Sequence, residues 1–136
     1  MTTDQPASDD PADETTAGMT GEEHLDAREV EILNLADVSA QEIISRSIVV
    51  LMSAAAEKLG LSDDEPTSSP NLDLDESRKL ITALAGLVSG SAEYLGPQAG
   101  VVRDGLQGLQ RAFRESSAYP DEPGHGPGEK FTGPVY

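Results

Sequence analysis

Cysteine and tryptophan are absent, aromatic residues make up 4% of the chain, and 9 Lys/Arg stand against 25 Asp/Glu. Each shortage excludes a class of chemistry. Without Cys there is no disulfide, no thiolate nucleophile and no Cys-ligated zinc, a composition that fits a reducing cytosol. With so few cations, and no basic run longer than Arg78-Lys79, the chain lacks the clustered charge that direct binding to nucleic acid requires. The most apolar stretch, Ile43 to Ala56, is interrupted by Arg46 and is too short to span a bilayer. The start, Met1-Thr2-Thr3-Asp4, has neither the basic nor the apolar region of a signal peptide. The expectation is a soluble, cytoplasmic protein with no membrane contact.

The charge is unevenly placed. Residues 1–37 hold 11 Asp/Glu against the single Arg28, within a formal net charge of -16 for the 136-residue chain. That acidic head, residues 1–36, is rich in Thr, Asp, Glu, Pro and Ala and holds few large aliphatic residues, so it reads as disordered. Val30, Ile32, Leu33 and Leu35 form a short apolar patch at its end, read as a docking strand or a loose turn.

Three helix signatures follow, in a domain at 37–117. Ser39 and Glu42 make a capping box, with Val38 and Ile43 as its hydrophobic staple. This predicts a first helix over about 40–59, closed by Gly60 in the left-handed position. Ile44, Ile48, Leu51, Ala55 and Leu59 share one face, and Val49, Val50 and Met52 widen the apolar arc. A second helix opens at Asp73, with Glu76 at the box position, and runs over 74–95 to Gly96-Pro97. A third is expected over 98–116, with Val102, Leu106, Leu109 and Phe113 in register. Gly100, Gly105 and Gly108 weaken it by roughly 1 kcal/mol each and allow close helix approach. Tyr94 and Phe113 are the expected core aromatics.

The fold class is therefore all-α, a helical hairpin plus third helix. A core this small usually supplies no more than about 3–5 kcal/mol. The alternatives are a marginal monomeric bundle and a homodimer; the expectation is self-association, through Ile44, Ile48, Leu51 and Met52. Residues 118–136 form a Pro/Gly tail whose four Pro and four Gly argue against regular structure. Yet Tyr119, Phe131 and Tyr136 lie there, three of the five aromatics in the chain. Two readings stand open. The tail folds back onto the bundle, or it docks into the groove of a protein partner, with Lys130 as a charged handle and the Tyr136 carboxylate as a second one.

Candidate chemistry is sparse. Asn71, Asp73 and Asp75 alternate like the start of a calcium loop, but Glu76 replaces the required Gly and Thr82 the bidentate Glu, so helix capping is the better reading. Gly124 to Lys130 (GHGPGEK) lacks phosphate-loop spacing, and Pro127 removes a backbone N–H. His24 and His125 lie in the flexible ends, where no shaped site holds them for acid–base work or metal ligation. No enzyme, metal or cofactor is expected.

A resemblance adds to this. The blocks LMSAAAEKLGL from Leu51, LDESRKLI from Leu74 with ALAGL from Ala83, RDGL from Arg103 through FRE from Phe113, and the closing GPGEKFTGPVY from Gly126 occur in this order. Together, over residues 35–136, they resemble the bacterial family described as domain of unknown function 1844, in its actinobacterial form. The resemblance implies a short, mostly helical cytosolic protein with no catalytic motif to carry over. It also implies genes neighbouring a translation initiation factor and ribosomal proteins. The expected function is a non-enzymatic interaction module. The alternative is an accessory factor of translation that reaches the ribosome through protein contacts.

Overall fold

The computed structural model describes residues 35–136 of the chain. The acidic head to residue 34, with Val30, Ile32, Leu33 and His24, lies outside the described residues. The chain divides into two units, Met1–Ser39 and Ala40–Tyr136. Of the first, Leu35–Asp37 forms one 3₁₀ turn, in which Val38 N donates to Leu35 O at 3.1 Å.

The second unit is all-helical: α1 at Ala40–Lys58, α2 at Leu74–Ser91, α3 at Ala99–Ser116 and the short α4 at Glu129–Thr132. The end of α1 is set by Gly60. Its φ of +70° closes a Schellman motif, in which Leu61 N donates to Ala56 O and Gly60 N to Glu57 O, both at 3.0 Å. A Cβ there would stand 2.6 Å from the Ser69 Cβ, so any larger residue would push the loop away. The start of α2 is set by Asp73, whose side chain accepts the Glu76 N–H at 3.1 Å. The backbone N–H of Asp73 meanwhile donates to Lys58 O at 2.7 Å, tying the two helix ends together.

Helix α2 is the centre of the body. It contacts α1, α3 and α4, and α1 also touches α3. Its buried stripe of Ile81, Leu84, Ala85 and Val88 follows helical spacing and shares one core with Ile48 and Ala55 of α1, Leu59 just after it, and Leu106, Leu109 and Phe113 of α3. Burying one such aliphatic side chain is worth about 1.5–3 kcal/mol, which is what makes the stripe decisive. Helices α1 and α3 come close at Gly105, where a Cβ would overlap the Met52 Cε. Gly100 and Gly108 face open space and serve no such approach.

Four expectations are corrected. The second helix stops at Ser91, not Leu95. One 3₁₀ turn at Ala92–Tyr94 drops Leu95 into the core, and Gly96 at φ +60° redirects the chain. Tyr94 is 56% exposed and is not a core residue, because that same turn swings it outward. The tail is not irregular throughout, since Glu129–Thr132 makes a helical turn. Nor does the body end at residue 117: its unit runs on to Tyr136.

Candidate functional site

The most elaborated part of the molecule is the seat of the C-terminal segment on α2 and α3. It begins with glycine geometry. Gly128 has φ +75°, and a Cβ on it would lie 2.6 Å from the Ala85 Cβ and 3.3 Å from both Ile81 O and the Gln110 Nε2. Only a bare backbone fits against α2 at this point.

Glu129 follows. It is buried, and its Oε1 accepts the N–H of Gly124 at 2.6 Å and that of Val135 at 3.1 Å. One carboxylate therefore closes the segment on both sides of itself. A Cβ at Gly126 would overlap the Glu129 Oε2, so this glycine is needed to admit the carboxylate. Hydrogen bonds to an ionised group are worth about 1.5–3 kcal/mol, and without them a buried carboxylate would be costly.

Gln110 lies on the buried face of α3. Its Nε2 donates to Pro127 O at 3.1 Å and to Thr132 Oγ1 at 3.0 Å, so the tail supplies both acceptors. Two arginines hold the entry to the segment. Arg114 Nη1 donates to Asp121 O at 2.6 Å, and Arg78 Nη2 pairs with Asp121 Oδ2 at 2.9 Å. The Arg78 guanidinium also stacks 4.9 Å from the Phe113 ring centroid, a cation–π arrangement that holds this α2 side chain against α3. Val135 is buried at the far end.

The residues expected to dock divide sharply. Phe131 packs on Gly86, where its ring comes within 3.3 Å of a Cβ position, and remains half-exposed. Lys130 is exposed, its Nζ 5.2 Å from the Phe131 ring. Tyr119 and Tyr136 are 94% and 79% exposed and take no part in the seat. On α1, Ile48 is buried while Ile44, Leu51 and Met52 pack against the core, so the face expected to bind a second copy is consumed within the chain. What α1 leaves exposed is Ile43, Val49 and Val50.

The residues that make the seat, Gln110, Arg114, Gly128 and Glu129, were not singled out by sequence. One signal existed: Gln110 interrupts the apolar stripe of α3 beside Leu109, and a buried amide demands partners. Among the described residues no group of three His, Cys, Asp or Glu side chains is placed to hold a metal ion. Nor is any helix of the described residues long and apolar enough to cross a membrane. Compared with protein-family models, curated proteins and solved structures, the chain matches none.

Proposed function

We propose that the protein is a non-enzymatic helical interaction module that self-associates through the outward strip of α1. The observation that carries this reading is the exposure of Ile43, Val49 and Val50, at 38%, 60% and 64%, on a helix whose other face is already spent on the core. Ile43 and Val50 are two turns apart on one line of α1, and Val49 stands about 100° round the helix from Val50, so the exposed apolar surface is broad.

Charge favours a second copy as its occupant. Helix α1 carries Glu42 and Glu57 against Arg46 and Lys58, so it is neutral in a chain of net charge -16. Two copies meeting here avoid the repulsion that an acidic face would impose. The tail, seated in cis, stabilises the body and leaves Tyr119 and Tyr136 outward for a protein partner.

Sedimentation of the full chain across a hundredfold concentration range tests the reading. The expected result is a concentration-dependent dimer that becomes monomeric in Val50→Glu with its helicity unchanged. A wild-type chain that stays monomeric throughout would refute it.

A further inference from the structure

A cleft of about 300 Å³ opens where the glycine-rich loop of the tail crosses α2. Among the described residues it is lined by Arg78 and Thr82 of α2 and by Gly124, His125, Gly126, Pro127, Gly128 and Lys130. The chain has 25 Asp/Glu and 9 Lys/Arg, yet this lining holds an arginine, a lysine and a histidine and no carboxylate. Three basic side chains are thus gathered at one cleft of an acidic molecule, with Asp121 paired to Arg78 and the Glu129 carboxylate bonded to the loop behind it.

The chemistry of the lining selects an anion. Arg78 presents a planar fork of N–H donors, one of which is used on Asp121 at 2.9 Å. Its stacking on Phe113 fixes the fork in place before any ligand arrives. Lys130 supplies a second cation, Thr82 a hydroxyl donor, and His125 an imidazole N–H. Glycines on the loop leave the backbone open to close approach. The volume sits at the bottom of the range for small-molecule pockets, about 300–1,000 Å³, and the lining offers little apolar surface for a ligand body.

We propose that this cleft binds the phosphoryl group of a small molecule, held between Arg78 and Lys130 with Thr82 as third donor. Two carboxylates adjoin the cleft: Asp121 shares Arg78, and Glu129 holds the Gly124 N–H and lies against Gly126, so the phosphoryl oxygens would take the remaining donors of the guanidinium. The inference is independent of self-association, since none of these residues lies on α1.

Amide NMR of the full chain, titrated with sodium orthophosphate and with sodium chloride at matched ionic strength, tests it. The expected result is saturable shifts at Thr82, Gly124, Gly126 and Gly128 with phosphate and none with chloride. Lys130→Gln, at an exposed position of α4, should weaken binding about tenfold, the loss of one charge-assisted hydrogen bond, with the remaining spectrum unchanged. Thr82→Val supplies a second variant and should weaken binding in the same direction. Adenosine monophosphate in parallel distinguishes the sources of the group: an equal midpoint assigns free phosphate, and a tighter one a phosphomonoester whose body also makes contact. Equal shifts with phosphate and chloride, or an affinity untouched by both variants, would overturn the proposal.

Discussion

Gly124 donates its backbone N–H to the carboxylate of Glu129, five residues further on, at 2.6 Å. The same oxygen takes the N–H of Val135, so the loop before Glu129 and the end of the chain after it are tied to one atom. The carboxylate is costly to bury alone, and the two amides need an acceptor. Each problem solves the other. This arrangement explains how a segment dense in Pro and Gly keeps one shape without a ladder or a long helix.

Glu129→Gln keeps the shape of the side chain and removes the charge. We expect a loss of about 1–3 kcal/mol in urea unfolding, from weaker acceptance of the two amides. Amide exchange at Gly124 and Val135 should accelerate while Ile81 and Leu84 keep their protection. Unchanged exchange at those two amides would show that the carboxylate does not hold the tail.

Gln110→Ala should cost about 1–3 kcal/mol, because Pro127 O and Thr132 Oγ1 lose their donor inside the fold and the amide leaves a cavity. A double-mutant cycle with Thr132→Val separates the terms. A coupling energy of at least about 0.5 kcal/mol is expected for residues in direct hydrogen bond. Simple additivity would mean that the two side chains act alone.

Glycine substitutions should split in sign. Gly108 faces open space on α3, and Gly108→Ala should stabilise by up to about 1 kcal/mol, the helix propensity difference. Gly128→Ala should destabilise, since left-handed backbone costs an L-residue roughly 1–2 kcal/mol and the new Cβ meets Ala85. Thermal melts of the two variants shifting in the same direction would contradict the geometry of the seat.

Much of this fold is legible in the sequence, for reasons local to each residue. Asp73 and Gly60 announce a helix start and stop because capping depends on neighbours within a few positions. The stripes of α2 and α3 announce a core because burial follows helical period. Other features are decided at long range. Gln110 finds its acceptor 17 residues away and Arg78 its carboxylate 43 away, and no periodicity reports such pairs. Tyr94 sits within helical reach of the core stripe, yet a single 3₁₀ turn rotates it outward. Phe131 drew notice as an aromatic in a poor context. The residues that fix its segment, Glu129 and Gly128, carry no such mark, because their roles appear only when the backbone returns to α2.

The place where Gly128 touches Ala85, Ile81 and Gln110 also imposes an order of assembly. That surface is contributed by two helices, so it does not exist until α2 and α3 have met. The hairpin of α1 and α2, joined by Asp73 N to Lys58 O, needs no such partner. The final segment therefore has its complete seat only on a surface that α2 and α3 make together. Opening the last residues while the helices stay formed would uncover Gln110, since they supply both of its acceptors.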